Sequence, residues 1–276
     1  MNRRRVLIVL GSLGAVGLAG TAGYEYWTYR QMTLRRNLLI AGSRAAEEFV
    51  QAAAKAFARA NPDMDIVVEG GNATAGLLAL QRDSISLAIM SRDLTTAEDR
   101  PNLHSTLIGM EGVAIVIHPS MPVESMTAGQ VRGVLAGEIT NWSELNGPEG
   151  PIVLFGRNQG SSARATIEEV LLRNTAFARS MRMMESAKLL NKAVASDPMA
   201  LGFINARNLD GTTKAVAVDG HDINEKNVLL RRYPLTRDLY LVMNSEGSDD
   251  ATRFVQYCVS RDGQKLMASL GLNKVR

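Results

Sequence analysis

The stretch Phe155-Gly-Arg-Asn-Gln-Gly-Ser-Ser-Ala-Arg164 decides how the rest of the chain is interpreted. The apolar run Ile152 to Phe155 predicts a buried strand that ends at Gly156, and an amphipathic helical pattern begins near Ser162. A helix start presents unpaired backbone N–H groups and the positive end of the helix dipole, so this turn predicts an anion site. Arg157 adds a planar cationic fork that suits an oxyanion. For a single turn of this kind, a purely structural helix cap is the commoner explanation.

Two earlier stretches repeat the order strand, small polar turn, helix. Leu38 to Ser43 runs from apolar residues into Gly-Ser, before a helix that we expect over about residues 45–60. Residues 66–76 run from a β-branched strand through Gly, Asn and Thr into an apolar helix. Ser91 ends a further apolar run and is followed by Arg92. Because such turns collect at the carboxyl ends of strands in an open α/β sheet, we expect a cleft lined by hydroxyls, backbone amides and arginines.

A set of motifs follows a fixed order along residues 38–275. They are Ala41-Gly-Ser43, Gly70-Gly71 through Ala75-Gly76-Leu77, Ala88-Ile-Met-Ser-Arg92, Ile139-Thr-Asn-Trp-Ser-Glu-Leu145, Gly156-Arg157 through Gly160-Ser161, Ala200-Leu-Gly-Phe203, Tyr233-Pro-Leu-Thr-Arg237 and Phe254 through Gly263-Gln-Lys265. With these motifs in this order, the chain resembles the phosphate-binding proteins of phosphate ABC transporters, which belong to the type II periplasmic binding protein superfamily. The motifs around Trp142 and Tyr233 have no evident ligand chemistry, and their order makes the resemblance specific.

The resemblance implies a two-lobed α/β fold with two hinge crossovers and a binding rather than a catalytic function. It implies capture of inorganic phosphate or a similar oxyanion and delivery to a membrane permease with its ATPase, with no cofactor. We also keep a second interpretation, in which a membrane-anchored, degenerate form of this fold serves as a sensory or protein-interaction module.

The resemblance assigns the oxyanion site to four turns. The predicted phosphate-binding residues are Ser43, Arg44, Asn72, Thr74, Ser91, Arg92, Arg157, Gly160, Ser161 and Ser162. The chain has Arg92 at a position where some members of the family carry an Asp and others also read Ser-Arg. Because such a carboxylate accepts the proton of protonated phosphate and repels fully ionised sulfate, we expect sulfate to compete with phosphate here.

The charge balance gives no support for nucleic-acid binding. The 276-residue chain has a net charge of +3, and Arg3, Arg4 and Arg5 account for it, since the other 28 basic residues balance 28 acidic ones. Cys258 is the single cysteine, which rules out an internal disulfide and a cysteine-based metal cluster. We find no nucleophile elbow, P-loop or metal-ligand spacing in the sequence, and expect neither a catalytic nor a metal site.

Residues 1–36 form an expected signal peptide or membrane anchor with a linker. Three arginines precede the uncharged stretch 6–24, which is typical of an export signal. Cleavage near Gly20-Thr-Ala22 and retention as an inner-membrane anchor over residues 6–27 both remain open. Either outcome predicts a periplasmic or otherwise extracytoplasmic body.

Two apolar strands are candidates for the crossings between lobes, at Gly112 to His118 and Asp238 to Met243. They predict a first lobe of residues 37–116 and 238–276 and a second lobe of residues 117–237. Within the second lobe, Thr127 and Gln130 predict a capping box that opens a helix.

Overall fold

The structure is a computed structural model that describes residues 36–275. The predicted leader over residues 6–27 lies outside them. Within the described residues, no helix has the length and apolar character needed to cross a membrane, and no three His, Cys, Asp or Glu side chains are grouped so that they could hold a metal ion.

Ten strands are present in this part of the chain. In chain order they are β1 (Arg36–Ser43), β2 (Met64–Gly71), β3 (Leu87–Met90), β4 (Leu103–Ile117), β5 (Ser125–Met126), β6 (Val153–Arg157), β7 (Arg182–Met184), β8 (Ala200–Asn205), β9 (Lys214–Val218) and β10 (Thr236–Asn244).

Eight α-helices are present in residues 36–275. They are α1 (Glu47–Ala60), α2 (Ala73–Gln81), α3 (Ala128–Ala136), α4 (Ser162–Thr166), α5 (Ala187–Ala195), α6 (Glu225–Leu229), α7 (Asp249–Val259) and α8 (Arg261–Ser269). A π-helical turn, Ile167–Leu172, continues α4, and 3₁₀ turns occupy Trp142–Leu145 and Ala206–Asn208.

Strand β4 belongs to two sections of the sheet. The strand order is β2-β1-β3-β10-β4-β8-β6-β7, with β9 paired to β4 and β5 to β9. Residues 103–112 of β4 pair antiparallel with β10, whereas residues 113–117 pair with β8, and 115–117 also with β9. We call the part from β2 to residues 103–112 of β4 the first sheet section and the remainder the second sheet section. The two apolar runs predicted as crossings lie in β4 and β10, which pair with each other where the two sections meet.

Each sheet section has its own hydrophobic core. In the first, α1 and α7 pack on the sheet, and the Phe57 and Phe254 rings meet edge to face with centroids 5.6 Å apart. Cys258 is buried in this core, and burial raises the pKa of its thiol, as expected for a packing residue. In the second, Trp142 is fully buried and its Nε1 donates to the Met199 carbonyl at 2.9 Å. The motif around Trp142 thus builds the core of the second section.

The structure confirms the capping box and shifts two predicted boundaries. Thr127 Oγ1 accepts from the Gln130 amide at 3.0 Å, Gln130 Oε1 accepts from the Thr127 amide at 2.8 Å, and Gly137 ends α3 in the left-handed conformation. Helix α1 begins at Glu47, because residues 44–46 form a turn. Strand β6 continues through Gly156 to Arg157, because these residues pair with β7.

Candidate functional site

A cavity of about 540 Å³ lies between the two sheet sections, where the predicted turns converge. It is lined by Ser43, Arg44, Ala45, Gly71, Asn72, Ala73, Thr74, Ser91, Arg92, Gly160, Ser161, Ser162, Ala165, Glu169 and Arg237. All predicted site residues except Arg157 are in this set. We call it the central cavity.

Close backbone packing brings the first two turns together. A Cβ atom on Gly42, whose φ is +142°, would lie 2.2 Å from the Ile89 carbonyl oxygen, so only glycine lets the end of β1 approach β3 this closely. A Cβ atom on Gly76 would lie 2.7 Å from the Ala41 carbonyl oxygen, so α2 packs directly against β1. As a result, the beginning of α2 lies next to Ser43, whose hydroxyl accepts a hydrogen bond from the Ala45 amide at 3.3 Å.

The second turn is fixed by Asn72, the N-cap of α2. Its Oδ1 accepts from the Ala75 amide at 3.2 Å, which commits this side chain to the helix start. The other N–H groups in the first turn of α2 have no helical carbonyl to bind, and this turn lines the wall of the cavity. Thr74, in the same turn, adds a hydroxyl to the lining.

The turn before α4 forms the opposite wall. Gly160 has φ +90°, and Ser161 caps α4 by accepting from the Arg164 amide at 3.5 Å. Arg44 reaches across to this wall, since a Cβ atom on Gly160 would lie 2.6 Å from its Nη1. Ser162 Oγ accepts from Asn205 Nδ2 at 2.6 Å. The lining of this wall is therefore held by contacts from both sheet sections.

Arg157 lies beside the central cavity and not in it. As the last residue of β6, it directs its guanidinium to two carbonyl oxygens, with Nε 3.2 Å from that of Met184 and Nη2 3.2 Å from that of Glu185. It lines an adjacent cavity of about 400 Å³, which shares Arg44 and residues 160–162 with the central one. Partial burial lowers the pKa of Arg157.

The sequence interpretation missed two charged lining residues, Arg237 and Glu169. Arg237 is the second residue of β10 and is only 5% exposed. Its Nη2 donates to the Ser162 carbonyl at 2.6 Å, and its guanidinium lies 3.6 Å from carboxylate oxygens of both Glu111 and Glu169. The view that the Tyr233–Arg237 motif has no ligand chemistry thus does not fit Arg237. The signal available in the sequence was an arginine just before the apolar strand predicted at Asp238 to Met243.

Glu111 is a buried carboxylate beneath Arg237. It is 2% exposed, and neither of its oxygens makes a hydrogen bond within residues 36–275. Desolvation raises the pKa of Glu111, and the charges of Arg237 and Arg207 oppose this increase. The pair Glu111–Arg237 therefore places two ionisable groups in the interior, where β4 and β10 pair.

The arginines of the central cavity differ in how far they are already neutralised. Arg92 makes two hydrogen bonds to Glu98, of 2.7 and 2.9 Å, and this pairing lowers the pKa of Glu98 to about 2. Arg44 is exposed and has no acidic partner within 4.0 Å among the residues that the structure describes. The arrangement offers hydroxyls, helix-start amides and one uncompensated cation, which is chemistry for holding an oxyanion.

Comparisons with known proteins identify the family and the fold of the chain. Residues 22–262 match the family model described as PBP superfamily domain. A phosphate-binding protein PstS of Bacillus subtilis (strain 168) is 29% identical over 234 residues, which cover 83% of this chain and 77% of that protein. These relatives are binding proteins and not enzymes.

Two solved structures are similar over most of the chain. An ABC-type phosphate transport receptor from Vibrio cholerae has a TM-score of 0.80 and 26% identity, covering 85% of this chain and 98% of its own. PstS from Borrelia burgdorferi has a TM-score of 0.77 at 19% identity, covers 87% of this chain and 99% of its own, and supports the fold alone. The chain therefore belongs to the PBP superfamily and has the α/β fold of the type II periplasmic binding proteins that its motifs predict.

Proposed function

We propose that this protein is an exported solute-binding protein that captures inorganic phosphate, or a similar oxyanion, for an ABC importer. One observation carries the proposal: the residues of three strand–turn–helix junctions, with Ser91, line a single cavity together with arginines. The similarity to a phosphate-binding protein and to a phosphate transport receptor supports phosphate as the first candidate.

The proposed binding chemistry is hydrogen bonding to a desolvated anion. Hydroxyls of Ser43, Thr74 and Ser91 approach from one side, and the 160–162 turn approaches from the other. Hydrogen bonds to a charged group contribute about 1.5–3 kcal/mol each. Arg44 supplies the charge that the anion requires, since no acid neutralises it within the described residues.

Capture is proposed to close two lobes around the anion. The lobes are residues 37–116 with 238–276, and residues 117–237, with β4 and β10 as the crossings. An anion held by both walls stabilises the closed arrangement, because it contacts the two lobes simultaneously only in that arrangement. Small-angle scattering should show a smaller radius of gyration with phosphate than without it. An unchanged radius in a protein that binds phosphate would argue against closure.

Residues 1–36 are proposed to direct export, with residues 6–27 either removed or kept as an inner-membrane anchor. The body then meets its permease and ATPase partners from the periplasmic or extracytoplasmic side. A reporter that is active only outside the cytoplasm, fused after Arg276, should be active. Activity confined to a cytoplasmic reporter would contradict this placement.

Equilibrium dialysis of the full-length protein with labelled phosphate tests the binding function. We expect saturable binding, and competition by sulfate at constant ionic strength, because Arg92 stands where a carboxylate would repel that anion. Arg44→Ala should weaken binding, whereas Arg59→Ala, which removes an exposed arginine of α1 far from the cavity lining, should not. If the parent protein binds neither anion, the sensory or interaction module becomes the better interpretation.

A further inference from the structure

Glu169 is an acidic side chain in the wall of a cavity that otherwise suits an anion. It lies in the π-helical turn Ile167–Leu172, and its oxygens face arginines from two other elements. Oε2 is 3.6 Å from Nη1 of Arg237, and Oε1 is 3.9 Å from Nε of Arg92. Because both separations exceed hydrogen-bonding distance, these are loose ion pairs.

The two arginines that Glu169 faces each have another carboxylate beside them. Arg92 is held by Glu98 through two short hydrogen bonds, and Arg237 lies over the buried Glu111 at 3.6 Å. Glu169 is therefore a third acid facing two cations. An oxyanion that approached Arg92 and Arg237 would meet this carboxylate at close range, where like charges repel.

Glu169 also differs from the other two acids in its freedom to move. Glu98 is fixed by Arg92 and by the Thr95 amide, and Glu111 is enclosed by the sheet. The Glu169 side chain is 36% exposed and makes no hydrogen bond within residues 36–275, so its carboxylate can turn towards solvent without breaking one.

We propose that Glu169 is a displaceable counter-ion, which occupies the anion's place between Arg92 and Arg237 and moves out when an oxyanion binds. The proposal rests on the proposed oxyanion-binding function and identifies a residue that sets its affinity. An incoming anion binds only if its contacts exceed those of the resident carboxylate. Glu169 therefore selects against anions that interact weakly with the two arginines.

If Glu169 were a proton acceptor, removing its charge would change the phosphate affinity in the opposite direction. If its carboxylate stayed in place and accepted the proton of a protonated phosphate, removing its charge would weaken phosphate binding. Sulfate, which carries no proton at neutral pH, would then bind more tightly to the same variant. A displaceable counter-ion competes with both anions, so its removal strengthens the binding of both.

The test is isothermal titration of full-length Glu169→Gln with phosphate and with sulfate, separately, at neutral pH and constant ionic strength. We expect both anions to bind roughly three- to tenfold more tightly than to the parent protein, in line with the modest energy of a partly exposed ion pair. Glu168→Gln is the matched control, because Glu168 is the adjacent acid but pairs with Arg164 at 2.8 Å outside the cavity lining. It should bind both anions like the parent.

Several results overturn the proposal. Weaker phosphate binding with tighter sulfate binding would assign proton acceptance to Glu169, and unchanged affinity for both anions would remove it from the site. Glu169→Ala, checked by thermal unfolding, provides a second variant should the amide form contacts of its own, and it should also bind both anions more tightly. If the parent protein itself binds neither anion, the proposed function fails, and this inference fails with it.

Discussion

Arg157 and Arg237 both lie near the end of a strand, one in each sheet section, but their guanidinium groups make different contacts. Arg157 ends β6, and its guanidinium binds two backbone carbonyls outside the central cavity. Arg237 lies near the start of β10, where the two sheet sections meet, and contacts Glu111, Glu169 and the Ser162 carbonyl. A strand end followed by a helix start is therefore not enough to place a cation in the site.

The location of the two residues relative to the paired strands β4 and β10 accounts for the difference. β10 runs beside β4 through the junction, so a side chain at its beginning reaches the second section while its backbone remains in the first. β6 is bordered by β8 and β7 and lies within the second section alone. Cations that contact both sections come from the junction or from turns that face it.

The largest effect should follow Arg237→Ala. This change leaves the Glu111 carboxylate buried without its nearest cation, which is expected to cost up to about 3–5 kcal/mol of the free energy of unfolding. It should also abolish measurable phosphate binding, since the Ser162 turn loses its contact with β10. Urea unfolding and titration calorimetry measure the two effects, and Arg232→Ala, at an exposed position nearby, should show neither.

The double variant Arg237→Ala, Glu111→Gln separates stability from binding. Removing the orphaned charge should restore most of the free energy of unfolding, because no buried carboxylate is left to desolvate. Phosphate binding should remain absent. Recovery of binding together with stability would mean that Arg237 acts only on the fold.

Arg44→Ala should have the next largest effect, a weakening of phosphate binding by at least about tenfold with little change in unfolding. One charge-assisted hydrogen bond contributes about 1.5–3 kcal/mol, and about 1.4 kcal/mol corresponds to a tenfold change in affinity. Arg44 is exposed and lacks an ion pair in the described residues, so the fold does not depend on it. Calorimetry that gave the parent affinity would contradict a role for this cation.

Local patterns predicted most of the polar residues that line the central cavity, because local sequence determines where these residues lie. The hydroxyl and glycine positions at Ser43, Ser91 and residues 160–162 follow from where apolar runs stop and helical periodicity begins. The capping box at Thr127 and Gln130 depends on a spacing of three residues. Features of this kind can be predicted without knowing which strands pair.

Arg237 and Glu169 were missed because their role depends on distant pairings. Arg237 is held in the cavity wall by Glu111 and the Ser162 turn, and no local pattern states that β10 lies beside β4. Glu168 and Glu169 look alike in the sequence, and the π-helical turn changes the angular position of each residue relative to an α-helix. Which of the two acids faces the cavity therefore cannot be derived from an α-helical period.

Arg157→Ala should weaken phosphate binding by less than Arg44→Ala, by about threefold. Its guanidinium already binds the carbonyls of Met184 and Glu185, so contact with an anion across the shared wall would require it to give up hydrogen bonds of ordinary strength, about 0.5–1.5 kcal/mol each. Titration calorimetry on both variants measures how much phosphate affinity each one loses. A larger loss for Arg157→Ala would mean that the adjacent cavity, and not the central one, holds the anion.

The smallest effect concerns the pH dependence of stability at the Arg92–Glu98 pair. Pairing with Arg92 lowers the pKa of Glu98 from 4.5 to about 2. Because the pKa is lower in the folded protein than in the unfolded chain, the pair stabilises the fold above the unfolded value, and this contribution is lost as the pH falls from 4.5 towards 2. Urea unfolding of the parent and of Glu98→Gln should therefore differ near neutral pH and converge in this acidic range. The control Glu149→Gln, at an exposed loop position, should follow the parent throughout. A difference between parent and Glu98→Gln that persisted unchanged to pH 2 would mean that the carboxylate charge contributes nothing and that the pair acts through shape alone.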